Sequence, residues 1–178
     1  MNEPVEGLPS LPHVAGEFYT WLWWLSEAQD GVVHLGEELG PVDLWVDERL
    51  AFRNPNESKV LAVMTGDNPS TTWEARAALA GGKVLHELRL GIRREDREFR
   101  FTLRGPAMYL ARVALPDVLD EGDQELVMDR MYLYEELHRV IGELFRLFAA
   151  QRASEGWGTE VLPRIQRWVS DPEFVPAG

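Results

Sequence analysis

A chain of 178 residues, 45% of them hydrophobic, carries enough apolar material for one domain with its own core, which excludes global disorder. It has no cysteine, so disulfides, thiolate catalysis and Cys-ligated zinc are excluded, and no apolar run of membrane-spanning length is visible. A net charge of −12 excludes a protein that coats nucleic acid over its whole surface, though not one with a local basic patch.

Residues 1–15 carry Pro4, Pro9 and Pro12 and read as an extended lead-in. They show neither the basic flank nor the apolar stretch of a secretory signal, so a cytoplasmic location is expected. Gly16-Glu17-Phe18-Tyr19-Thr20-Trp21-Leu22-Trp23-Trp24-Leu25 then sets three of the seven tryptophans into ten residues. Phe18, Trp21, Leu22 and Leu25 fall at i, i+3, i+4 and i+7, so a helix is predicted over 17–28, with Tyr19 and Trp23 widening its apolar face. A helix so apolar must be covered, and the strands that follow supply a sheet. An aromatic platform for stacking bases is the alternative use of these rings.

Val32 to Leu35 reads as a short strand. From Pro41, Val42, Leu44 and Val46 alternate with Asp43, Trp45 and Asp47, and Leu50 and Phe52 keep the parity, so a strand is predicted through Arg53. Asn54-Pro55-Asn56-Glu57 is a turn. The unbroken apolar run Val60-Leu61-Ala62-Val63-Met64 predicts an interior strand covered on both faces. Thr71 with Glu74 matches a capping box, and Gly81-Gly82 ends a short helix. Val84, Leu88, Leu90 and Ile92 alternate with Glu87, Arg89 and Arg93; a turn at Arg94-Glu95-Asp96-Arg97 leads into Phe99, Phe101 and Leu103, giving a hairpin with one wet face. A further strand is predicted over 108–115. Asp123 is a candidate N-cap for a long helix to Arg152, with Leu126, Leu133, Leu137, Val140, Ile141, Leu144, Leu147 and Phe148 as its apolar stripe. At 1.5 Å per residue such a helix is on the order of 40 Å long, a length that often serves an oligomer interface. A short amphipathic helix over 161–169 and a tail, 171–178, complete an α+β domain. Its expected architecture is a mostly antiparallel sheet, an aromatic N-terminal helix, a short crossover helix and a long C-terminal helix, all within residues 16–170.

Few residues carry catalytic chemistry. Glu135 and His138 form a single Glu-x-x-His where a di-iron bundle needs two. His13, His34 and His86 lack ligand spacing, so no metal site is expected. Asp43, Glu57 and Lys59 loosely match a metal-dependent nuclease core. Gly81-Gly82-Lys83 lacks the rest of a phosphate loop, and no nucleophile elbow is present. No enzyme, cofactor or small-molecule substrate is expected.

The charge map says more. Residues 83–112 hold eight basic and four acidic residues, a net of +4, leaving −16 for the remainder. Hairpin parity sets Arg89, Arg93, Arg100 and Arg104 on one face. Phosphate is the usual reason to hold like charges together; neutralisation by acids of the long helix or of a partner subunit is the other.

The order Tyr19-Thr20-Trp21-Leu22, then strands, then Thr72-x-Glu74-Ala75, Leu79-x-x-Gly82-Lys83-Val84-x-x-Glu87-Leu88-x-Leu90 and a Phe-rich strand from Phe99 to Leu103 resembles the C-terminal half of the recombination-associated protein RdgC family. The opening Gly16-Glu17-Phe18-Tyr19-Thr20-Trp21-Leu22-Trp23 is similar to short RdgC-like proteins of some bacteria. The likeness covers about residues 16–170; full-length members carry a further N-terminal half. The resemblance implies a cytoplasmic, nucleoid-associated, non-catalytic protein that forms a dimer around double-stranded DNA and binds it without sequence preference. In this chain Arg89, Arg93, Arg100 and Arg104, with Arg94 and Arg97 at the hairpin tip, are the candidates to hold phosphates. A protein-interaction or homodimerisation module that binds no DNA, or one that docks a heteromeric partner on its acidic surface, is the alternative.

Overall fold

The computed structural model describes residues 11–57, 59–117 and 123–173. It is an α+β fold in which every strand pairing is antiparallel. The strands are β1 (Val32–His34), β2 (Pro41–Arg53), β3 (Val60–Thr65), β4 (Val84–Arg94), β5 (Arg97–Arg104) and β6 (Tyr109–Ala114). The sheet runs β1-β2-β4-β5-β6. Long β2 bonds β4 along one edge, and β1 then β3 along the other.

Helix α1 (Leu11–Ala28) lies on β2 and β4. Phe18, Tyr19, Trp21, Leu22, Trp23 and Trp24 are all buried, so the aromatic stretch is core and no stacking surface. Because those side chains point almost all round the helix, the sheet covers only part of them. Helix α4 (Asp123–Arg152) covers a second side, where Phe18 meets Phe145 edge-on and Trp21 and Phe18 contact Phe148. Helix α5 (Leu162–Ser170) covers a third, with Trp168 edge-on to Trp23. The polar ends of these rings are satisfied: the Tyr19 hydroxyl donates to Gly105 O at 2.8 Å, Trp21 Nε1 to Gln151 Oε1 at 2.7 Å, and Trp23 Nε1 to Ser70 O at 3.3 Å. Burial pushes the Tyr19 hydroxyl well above the usual phenol range.

Three sequence expectations are corrected. The helix begins at Leu11, not near Glu17, so part of the expected extended lead-in is helical; Pro12 sits in the first turn, where a missing N–H costs nothing. The run from Val60 to Met64 is not interior. β3 pairs only with β2 and lies at an edge, with Val60 exposed and Val63 46% exposed. The short helix α3 (Trp73–Ala80) is capped by Thr72, whose Oγ1 accepts from Ala75 N, one residue beyond the expected Thr71. Gly82 closes α3 in the left-handed region as expected. A one-turn helix α2 (Gly36–Leu39) links β1 to β2. The side chain of Asp123 and the tail from 174 onward lie outside the described residues.

Candidate functional site on the open sheet face

The sheet face away from α1 carries the polar parity of β2, β4 and β5. The register sets Asp43 opposite Arg93, Trp45 opposite Gly91, Arg93 opposite Glu98, Gly91 opposite Arg100, and Glu87 opposite Arg104. Arg89, Arg93, Arg100 and Arg104 therefore share a face, as parity predicts. The Trp45 indole lies flat on Gly91; a Cβ there would fall 2.0 Å from Trp45 Cε2, so only glycine fits beneath it.

These arginines are not a free reserve of positive charge. Arg89 Nε donates to Asp47 Oδ2 at 3.0 Å, Arg93 Nε to Asp43 Oδ2 at 3.1 Å, and Arg100 Nε to Glu98 Oε1 at 2.8 Å. Arg94 and Arg97 turn to the helix-covered side, where they donate to the two oxygens of Glu136 on α4, each at 2.6 Å. Glu136 is 5% exposed, and Arg94 also donates to Leu39 O at 2.7 Å. The hairpin tip thus tethers α2 and α4. The neutralisation by the long helix that the sequence left open is realised here, and Arg94 and Arg97 do not join the other four on a phosphate-facing surface. Sequence reasoning missed Glu136, although its place between Leu133 and Val140 on the core-facing stripe was a signal.

The other end of the same face differs. There β2 ends, β4 begins and β5 leaves the sheet. Arg49 Nε donates to Glu87 Oε1 at 2.6 Å, and Glu87 Oε2 is also the neighbour of Arg104 at 3.9 Å. Arg104 is 62% exposed. Arg53 Nε and His86 Nδ1 are buried without a hydrogen-bond partner among the described residues. His86 is the extra residue of a β4 bulge, since Ala51 pairs Glu87 and Phe52 pairs Leu85. Burial first, then the charges of Arg53 and Arg104, push its imidazole below the usual histidine range, and only Glu87 opposes them. Lys59 is exposed beside Val60, the register partner of Arg53. Glu87 is thus shared by Arg49 and Arg104, with Arg53 acting on the same His86, while Glu48 and Asp67 line a neighbouring hollow with Arg49, Arg89 and Arg112. Tyr109, opposite Arg104 in the register, is 69% exposed. Of the six arginines singled out by sequence, only Arg104 belongs to this basic end. Arg49 and Arg53 lie outside the 83–112 window and were missed, because they reach the face through pairing of β2 with β4.

A second surface is the N-terminal half of α4. Val127, Met128, Met131, Tyr132 and Tyr134 are between 42% and 65% exposed, and Tyr134 packs on His138 with ring centroids 4.5 Å apart. Val127, Arg130, Met131, Tyr134 and Glu135, with Leu115 from after β6, line a hollow of about 440 Å³.

The nuclease constellation is not assembled. Asp43 is near the start of β2 and Glu57 lies beyond its end; ten residues of strand separate Asp43 from Arg53, roughly 33 Å. Among the described residues no group of three or more His, Asp or Glu side chains could hold a metal ion, and no helix is long and apolar enough to cross a membrane. No protein-family model, curated protein or solved structure matches this chain.

Proposed function

We propose that this chain is a non-catalytic, DNA-associated protein of the RdgC-like kind, which holds the phosphate backbone on the basic end of its open sheet face. The observation that carries the reading is the segregation of charge on that face. Towards the hairpin tip each arginine has its own carboxylate; at the opposite end Glu87 is shared between Arg49 and the largely exposed Arg104, and Arg53 Nε has no hydrogen-bond partner among the described residues, in a chain that is otherwise strongly acidic. Phosphate contacts position without reading sequence, and guanidinium groups with spare N–H donors suit them. Exposed Tyr109 beside Arg104 adds a ring on which an unpaired base could stack. The acidic remainder keeps the affinity modest and steeply dependent on salt.

The test is fluorescence anisotropy with labelled duplex and single-stranded oligonucleotides at about 50 and about 200 mM salt. Binding should weaken at the higher salt. Arg53→Glu with Arg104→Glu should abolish it, whereas Arg93→Gln, already matched to Asp43, should change it little. Absence of binding to either form at the lower salt overturns the reading.

A second reading, a self-associating interaction module without DNA binding, is favoured by the exposed apolar residues of α4.

A further inference from the structure

We propose that the N-terminal half of α4 is the docking surface for a second copy of this chain, with the two helices side by side and running parallel. The inference does not rest on DNA binding.

Val127, Met131, Tyr134 and His138 follow one another at spacings of four, three and four residues, the a/d rhythm of a two-stranded seam. At 100° per residue this stripe lies about 120° round the helix from Leu133, Leu137 and Val140, which are buried against the domain. Val127, Met131 and Tyr134 are 57%, 55% and 42% exposed, so the stripe is open to a neighbour, with Leu115 of its own chain bordering it on one side. Isolated helices this short are marginal in water, but this one is already nucleated, because its C-terminal half is held by Phe145 and Phe148 against Phe18. A second copy finds the helix preformed.

The charges on either flank select both the partner and the direction. Arg130 and Glu135 sit on opposite sides of the stripe, five residues apart, and both border its hollow. Those are g and e positions, and in a parallel pair the g residue of one helix lies beside the e residue of the other, five places on. Each Arg130 then meets Glu135 of the second copy, twice by symmetry. An antiparallel pair brings like flanks together, so Arg130 and Glu135 of the two copies no longer meet. Arg139, further along, is engaged by Glu38 of its own chain.

Sedimentation velocity of the full chain over a concentration series tests this. Twice the monomer mass is expected to develop with concentration, and Met131→Arg should abolish it with an unchanged far-ultraviolet circular dichroism spectrum. Arg130→Glu or Glu135→Arg alone should weaken association by about tenfold, and the two together should restore it. The chain has no cysteine, so direction can be read by cross-linking. In a parallel pair Val127→Cys, Met131→Cys and Tyr134→Cys should each form a disulfide with its own copy. A wild-type chain that stays monomeric, a dimer untouched by Met131→Arg, a double swap no better than the single ones, or cross-linking at one position alone overturns the proposal.

Discussion

His86 shows how one residue can be set by two others that the sequence leaves far apart. The bulge in β4 turns it toward the open face beside Arg53, 33 positions earlier, and Arg104, 18 positions later. Burial and these two cations favour the neutral imidazole in the folded chain. The unfolded chain, with a histidine of ordinary pKa near 6.5, takes up a proton sooner on acidification. This group's contribution to stability is therefore full above pH of about 6.5 and falls as the pH drops through that value. Thermal unfolding between pH 7.5 and 5.5 checks the sign: the wild type should lose more Tm on acidification than His86→Gln. An equal loss would mean that the imidazole is as free to protonate in the fold as outside it. No periodicity in the sequence marks position 86 as special, because the bulge exists only once β2 is paired.

Among elements, the hairpin of β4 and β5 and the long helix α4 are joined through one carboxylate. Glu136 takes two guanidinium groups in a nearly dry setting, where the loss of one partner leaves charge buried without compensation. Glu136→Ala should cost about 2–3 kcal/mol in urea unfolding, below the full range for a buried pair because Arg97 is 36% exposed. Replacing the whole cluster, with Glu136→Leu, Arg94→Met and Arg97→Met, should recover most of that, since three matched apolar groups carry no desolvation penalty. If the triple variant is weaker than Glu136→Ala, the cluster acts through shape and not charge. The elements themselves were largely legible. The alternation in β2, β4 and β5 and the 3.6-residue stripe of α4 come from having one buried face each, and burial leaves its mark on residue choice. β3 was misread because an unbroken apolar run looks the same at an edge as in the interior. The outward stripe of α4 was overlooked because it interleaves with the inward one, so the N-terminal half of α4 is apolar on two sides. The pairing of Arg94 and Arg97 with Glu136 joins residues about 40 positions apart, a distance over which spacing carries no information.

At the scale of the whole molecule, the two proposed surfaces lie at opposite ends of the strands. The basic end gathers where β2 finishes and β5 leaves the sheet; the hairpin tip and the N-terminal half of α4 share a hollow of about 800 Å³ at the other, with Arg97, Asp129 and Tyr132 in its lining. Sites so far apart that share no side chain should act additively. Arg53→Glu with Arg104→Glu should therefore leave sedimentation unchanged, and Met131→Arg should leave the affinity for a duplex too short to reach two copies unchanged. Length is where the surfaces should meet. A parallel pair carries two basic ends on one rigid assembly, so a duplex long enough to span both is held by a second, intramolecular contact. On such a duplex Met131→Arg should lose affinity by on the order of 10²-fold through avidity alone. A series of duplexes of increasing length, titrated with wild type and with Met131→Arg, reads this directly: the curves should coincide for short duplexes and part at one length. Curves that part at every length would place residue 131 in the DNA contact itself, and curves that never part would mean that the paired chains do not present their basic ends to one duplex.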